Sequence, residues 1–201
     1  MGINRVAGTK ITPRVDGSNA MAKQVESIVK DHAAAQARLF FGPEMYKTST
    51  QGSTFVMTGP HDNDTAWKFS KDFKNVDITS GEDGIVEHLK VNNPEGFRQH
   101  LTASVMKSVL NGAAEATLKR IPEMEGMVRV EGPTMADNSL LFTLTGPADG
   151  DTRVAYNLKT GVLKFSDEAG EKSVKVGRSQ AAVVDAMASY FRLSLPLIKD
   201  D

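Results

Sequence analysis

The sequence predicts an internally duplicated α+β fold, in the order helix, antiparallel sheet, long shared helix, antiparallel sheet, helix. Three observations lead to this prediction. Segments of the first half recur in the second half in the same order. Long stretches with helical spacing of apolar residues alternate with groups of short, strand-like segments. The strand–helix–strand alternation of a parallel sheet is missing, so we expect two antiparallel sheets in two pseudo-symmetric halves.

The duplication rests on five pairs of matching segments. Residues 34–39 and Pro43-Glu44-Met45 recur as residues 113–118 and Pro122-Glu123-Met124, with the same gap between them. The other matches join residues 55–65, 80–84, 89–91 and 103–107 to residues 142–152, 166–170, 174–176 and 188–192. The matching segments keep the same order and lie about 85 residues apart, so we predict related halves at residues 24–107 and 103–192.

The first half begins with a predicted helix over residues 20–40, which Ser18 or Asn19 can cap. Its apolar residues have helical spacing: Met21, Val25, Ile28, Val29, Ala33 and Ala37. Between residues 44 and 91, short alternating segments are divided by Gly, Pro, Asn and Asp turns, which is typical of about five hairpin-connected strands.

The second half repeats this order. A helix is predicted from Asn93-Pro94 to about Arg120, with proline in its first turn, and a strand pattern returns over residues 126–176. The last helix is predicted from Ser179 to Pro196, and its apolar residues 189–198 are expected in the core rather than on a dimer surface. The middle helix matches the last helix in its first part and the first helix in its second part. We therefore expect one globular body over residues 18–201, in which both halves share that helix.

Composition excludes several function classes. The chain has 201 residues, 24 basic and 25 acidic, with a net charge of -1, which argues against nucleic acid as the main partner. It has no cysteine, which excludes disulfides, thiolate zinc sites, iron–sulfur clusters and cysteine nucleophiles. We expect no membrane span, because no apolar run approaches about 20 residues.

The segment 1–17 lies outside the duplication and is predicted to be a flexible, polar and basic arm, with Arg5, Lys10 and Arg14 before its first acid. The alternative is an export or docking segment that folds on a partner. Its basic residues are not followed by an apolar core, so we expect a cytoplasmic protein, or one exported without a cleaved Sec-type signal peptide.

The best candidates for chemistry are two matching Asp-rich hairpin tips. Asp62 and Asp64, and again Asp149 and Asp151, place paired carboxylates that could begin a calcium site. The favoured interpretation is a pair of turns, because neither copy has the later acid of an EF-hand loop. His61 stands beside Asp62 as a candidate for acid–base chemistry, but its counterpart in the second half is Ala148.

Other catalytic and cofactor motifs fail on inspection. The sequence contains no phosphate-binding glycine loop, no nucleophile elbow and no zinc-binding His-Glu-x-x-His pattern. We therefore assign no catalytic residue, expect no cofactor, and consider a catalytic function unsupported.

An acidic segment over residues 121–151 holds the candidate partner-binding residues: Glu123, Glu125, Met124, Met127 and Met135. Methionines beside acids can form an adaptable surface for a basic or amphipathic segment of another protein. The favoured interpretation is that the methionines fill gaps in the core while the acids keep one face solvated.

The predicted order of elements resembles that of the small α/β chaperones that escort bacterial type III secretion substrates. This is a likeness of topology, without diagnostic residues, and it implies a protein-binding function. The first hypothesis is therefore a non-catalytic protein-binding module: a bacterial secretion-chaperone-like protein, an adaptor or a contact-acting effector, with homo-oligomers left open. The alternatives are a small-ligand or metal-dependent enzyme that uses the Asp-rich tips, and a structural subunit of a larger assembly.

Overall fold

A computed structural model describes residues 17–40, 42–60, 64–81, 84–146 and 150–196 of the chain. Within them the order helix, sheet, helix, sheet, helix is as predicted, and the two halves are alike. The helices are α1 (Gly17–Leu39), α2 (Pro94–Arg120) and α3 (Gln180–Phe191). The repeated Pro-Glu-Met segments form equivalent 3-10 turns, Pro43–Met45 after α1 and Pro122–Met124 after α2. The predicted arm, apart from Gly17, lies outside the described residues.

Each half contains a five-stranded antiparallel sheet in which every strand pairs with its neighbours in the chain. The strands of the first sheet are β1 (Lys47–Gln51), β2 (Thr54–Thr58), β3 (Thr65–Phe69), β4 (Asn75–Ser80) and β5 (Ile85–Lys90). Those of the second sheet are β6 (Arg129–Ala136), β7 (Ser139–Thr145), β8 (Thr152–Asn157), β9 (Val162–Asp167) and β10 (Gly170–Lys175). The edge strands are therefore β1 and β5 in one sheet and β6 and β10 in the other.

The buried apolar residues form two clusters, and α2 contributes to both. The first core joins one face of α1 to the first sheet and includes Phe97 and Leu101 from the start of α2. The second core joins the second sheet to α3 and includes Ala35 and Leu39 of α1 and six residues of α2 between Val105 and Ala114. The middle helix therefore serves both halves, as its double match in the sequence predicts.

The start of α2 follows its capping residues. Asn93 accepts a hydrogen bond from the Gly96 amide at 2.9 Å, and Pro94 occupies the first helical position, where a missing N–H costs nothing. By contrast, α3 is shorter than predicted. Arg192 adopts a left-handed conformation (φ 54°), and the Leu193 amide donates to the Ala188 carbonyl at 2.9 Å, which closes the helix before Pro196.

The segment at and after the end of α3 packs inward. Tyr190 stacks on Phe165 with 4.0 Å between ring centroids, and Phe191, Leu193 and Leu195 are partly buried against the second core. This agrees with the predicted core role of this segment, of which Leu197 and Ile198 lie outside the described residues.

Candidate functional site

The Asp-rich tips are only partly described. Asp64 precedes β3 and Asp151 precedes β8, so the two exposed carboxylates start equivalent strands of different sheets. His61, Asp62 and Asp149 lie outside the described residues. Among the residues that the structure describes, no three His, Asp or Glu side chains come together as a metal site. The metal assignment at these tips stays a prediction.

A polar cavity lies between the first sheet and helices α1 and α2. Its volume is about 210 Å³, and His32, Gln36, Trp67, Glu87 and His100 are among its lining residues. None of them was singled out by sequence motifs, because they come from four separate elements. The cavity is therefore a product of the fold rather than of a local sequence pattern.

His32 is locked into one neutral tautomer. Its Nδ1 lies 2.8 Å from Gln180 Oε1, an acceptor, and its Nε2 lies 3.2 Å from Gln36 Nε2, a donor. Burial lowers the pKa of His32 to about 4, although the hydrogen bond to Gln180 and the charge of Asp31 oppose the shift. With both ring nitrogens engaged, His32 joins α1 to α3 and is poorly placed for proton transfer.

His100 and Glu87 form the titratable part of the cavity. Burial lowers the pKa of His100, and the nearby Glu87 carboxylate opposes that shift. Glu87 itself is exposed, on the inner face of edge strand β5 opposite Ile78. A single carboxylate beside a neutral imidazole gives this rim of the cavity a negative charge.

A buried arginine links the two halves on another side. Arg98 donates from Nε to both carboxylate oxygens of Glu95 at 3.1 Å, and from Nη1 to the Tyr156 hydroxyl at 3.4 Å. Burial alone would lower the pKa of Arg98, but these bonds raise it above its usual value. Arg98 is thus fully charged and partnered, and it acts as a structural tie between α2 and β8.

The acidic methionine turn, residues 121–127, follows α2 directly. Backbone hydrogen bonds from Met124 to Ile121 and from Met127 to Met124, at 3.0 and 2.9 Å, hold it compact. Ile121 and Met127 are exposed together with Glu123 and Glu125, whereas Met124 is half-buried. The turn therefore presents apolar and acidic side chains on one short segment.

Met135 does not join that turn. It lies near the far end of β6, which separates it from Met127 by roughly 25 Å at the rise of an extended strand. Met127 and Met135 are 57% and 54% exposed, so the favoured interpretation, that the methionines fill gaps in the core, is wrong for these two. Of the candidate partner-binding residues, four share the turn and the fifth stands apart.

The sheet edges differ in how they are protected against pairing. β1 is polar, β6 is interrupted between Glu131 and Thr134 at Gly132-Pro133, and β10 carries Glu171, Lys172 and Lys175. Bulges, prolines and lysines are the usual devices that keep an edge strand from adding another chain. β5 also ends in a lysine, Lys90, but it begins with two exposed apolar residues, Ile85 (70% exposed) and Val86 (48%).

The duplication makes this difference informative. Ile85 pairs with Ser80, the last residue of β4, as Gly170 pairs with Asp167, the last residue of β9, so the strand registers set Ile85 and Val86 against Gly170 and Glu171. The match of residues 80–84 to 166–170 in the sequence, which sets Gly84 against Gly170, is therefore one residue out of register at this turn. The second half folds with glycine and glutamate at these positions. The exposed apolar pair on β5 is therefore not a requirement of the shared architecture.

Sequence reasoning missed this edge. Ile85-Val86 reads as part of an ordinary strand, and alternation does not show which strand ends a sheet. The repeat held a partial signal: the match of residues 89–91 to 174–176, extended backwards without a gap, sets Ile85-Val86 against Gly170-Glu171, whereas the match of residues 80–84 to 166–170 sets Gly84 against Gly170. The sequence alone does not choose between these two alignments.

Comparisons with models of known protein families and with curated proteins find no match for this chain. Within the described residues, no helix is both long and apolar enough to cross a bilayer.

Proposed function

We propose that this protein is a non-catalytic protein-binding module, acting as a bacterial secretion-chaperone-like protein, an adaptor or a contact-acting effector. Its proposed place is the cytoplasm, or outside the cell after export without a cleaved Sec-type signal. The observation that carries the proposal is the acidic methionine turn, where Ile121 and Met127 are exposed beside Glu123 and Glu125.

The proposed occupant of the turn is a basic amphipathic segment of another protein. Methionine is flexible and polarizable, so Met127 can adapt to an apolar face of variable shape. Glu123 and Glu125 are not ion-paired within the described chain, and they can meet Lys or Arg side chains of the segment. Arg129, the nearest cation on β6, is already within 3.3 Å of Glu131.

The test uses a fluorescein-labelled helical peptide with leucine on one face and lysine on the other, titrated by fluorescence anisotropy. We expect Met127→Ser to weaken binding about fivefold, which corresponds to roughly 1 kcal/mol for re-exposing half of a methionine side chain. Met135→Ser is the matched control, because this methionine is equally exposed but distant. It should leave the affinity unchanged.

Charge is tested separately with a leucine/glutamate peptide and with the double variant Glu123→Lys, Glu125→Lys. The acidic peptide should bind weakly to the wild type, and the double variant should lose its preference for the basic one. The proposal fails at this site if Met127→Ser and Met135→Ser behave alike, or if the two peptides bind equally well.

A further inference from the structure

We propose that edge strand β5 is a second recognition site, which binds an extended segment of another protein by strand addition. The site shares no residue with the acidic methionine turn, so the two proposals stand or fall separately. The segment has a defined pattern: a basic residue opposite Glu87, with apolar residues opposite Ile85, Val86 and Leu89.

The two faces of β5 determine that pattern. Ile85 and Glu87 pair with Ser80 and Ile78 and therefore lie on the inner face, towards the polar cavity. Val86 pairs with Thr79 on the outer face. An added strand would bury apolar surface on both faces at once, while its backbone pairs with the open edge of β5.

The charge at the centre of β5 favours a basic partner residue. Glu87 makes no ion pair within the described chain, and the neighbouring His100 is neutral at physiological pH because burial lowers its pKa. His88, on the outer face, is already paired with Asp77 at 2.7 Å. Lys90, at the end of β5 on the outer face, also makes no ion pair within the described residues. On the inner face of β5 the uncompensated charge is therefore the Glu87 carboxylate, and a Lys or Arg directly opposite would meet it.

A second copy of this chain is a poor occupant. If two copies paired through β5, the two-fold axis would be perpendicular to the joined sheet. Residues opposite each other would then lie on the same face, so one residue of β5 would lie on the axis and face its own copy. With Glu87 on the axis, two carboxylates face each other. With Val86 on the axis, Glu87 of one copy faces Ile85 of the other. With His88 on the axis, Glu87 of one copy faces Leu89 of the other. Each arrangement sets Glu87 against a like charge or an apolar side chain.

The probe is a capped, fluorescein-labelled peptide whose centre is Val-Glu-Lys-Val-Ile, so that lysine falls opposite Glu87 in antiparallel pairing. We expect Val86→Glu to weaken binding about tenfold or more. This variant places on β5 the residue that β10 already carries at the equivalent position, so it should fold. Met135→Glu, on edge strand β6, is the matched control and should bind as the wild type does.

Two further measurements identify the mode of binding. A peptide with alternate amides N-methylated keeps its side chains but cannot pair as a strand, so its binding should be lost. Glu87→Gln should abolish the preference for the lysine peptide over one with glutamate in its place. Equal affinities of Val86→Glu and Met135→Glu, or unchanged binding of the methylated peptide, would overturn the proposal.

Other occupants of β5 have their own signatures. A concentration-dependent dimer in sedimentation that Val86→Glu dissociates would identify a second copy and overturn the assignment to another protein. Displacement of the probe by equimolar synthetic peptide 1–16 would identify the chain's own arm and overturn it as well. If Val86→Glu still binds the helical leucine/lysine peptide, protein binding at the acidic methionine turn is independent of β5.

Discussion

His32 couples its protonation state to the packing of two helices. Its neutral imidazole donates to Gln180 on α3 and accepts from Gln36 on α1. A protonated ring would have to donate from Nε2 as well, towards an amide nitrogen that cannot accept. The charged form is therefore opposed both by burial and by the direction of its hydrogen bonds.

This arrangement predicts a loss of stability in weak acid. The pKa of His32 falls from 6.5 to about 4 on folding, so the unfolded state binds more protons between these values and stability falls as pH drops through that window. From pH 7.5 to pH 5 we expect a loss of about 2 kcal/mol from this residue, and His100 acts in the same direction.

Urea unfolding at several pH values measures the effect. His32→Asn is the comparison variant, because its amide can still reach Gln180 but does not titrate. Its stability should be lower at pH 7.5 and should depend less on pH than that of the wild type. A wild-type stability that is flat between pH 7.5 and 5 would contradict the prediction.

The role of His32 could not be predicted from the sequence, which instead singled out His61 for its neighbour Asp62. The partner of His32 lies 148 residues away, on α3. Helical spacing shows that His32 follows a buried stripe, but the register between α1 and α3 decides which polar residue it meets. That register depends on the tertiary packing of both cores.

At the scale of elements, α3 is anchored at its beginning by a residue of α1. The Asp31 carboxylate accepts from the Ser179 hydroxyl at 2.8 Å and from the Gln180 amide at 2.6 Å. Ser179 in turn caps the Ala182 amide at 3.3 Å. An acid at a helix N-terminus satisfies free N–H groups and complements the helix dipole.

We therefore expect Asp31→Ala to lower the free energy of unfolding by about 1–2 kcal/mol, since it removes a half-buried cap. The control is Asp185→Ala, which breaks another α1–α3 contact, the exposed 2.9 Å pair with Arg38. An exposed pair contributes about 0.5 kcal/mol or less. If urea unfolding shows the same loss of free energy of unfolding in both variants, the Asp31 cap contributes no more than an exposed ion pair.

The order of helices and strands could largely be predicted from the sequence because the sequence is duplicated. The repeated Pro-Glu-Met segments predicted that α1 and α2 end alike, and both are followed by 3-10 turns. The end of α3 was predicted too late because Arg192 takes a left-handed conformation that a helical apolar pattern does not reveal. The exposed edge at Ile85 was missed because edge position is a property of the whole sheet.

The whole molecule is built from two cores that share α2. Phe97 and Leu101 belong to the first core, and the following turns of the same helix belong to the second. Asp31 and Arg98 add polar ties between the halves. Because the hydrogen-bonded turns of a helix form cooperatively, loss of packing at one end of α2 also destabilises the packing at its other end. We infer that the two halves unfold together.

The chain's single tryptophan, Trp67, makes this testable, because it is buried in the first core. Leu163→Ala opens a cavity in the second core, on β9, at an expected cost of about 3 kcal/mol. If the halves are coupled, this distant change lowers the unfolding midpoint seen by Trp67 fluorescence as much as the midpoint seen by far-ultraviolet circular dichroism. Val76→Ala, at the equivalent position of β4, is the reciprocal variant and should also give coincident transitions. Independent halves would leave the Trp67 midpoint unmoved in Leu163→Ala while the dichroism signal split into two steps.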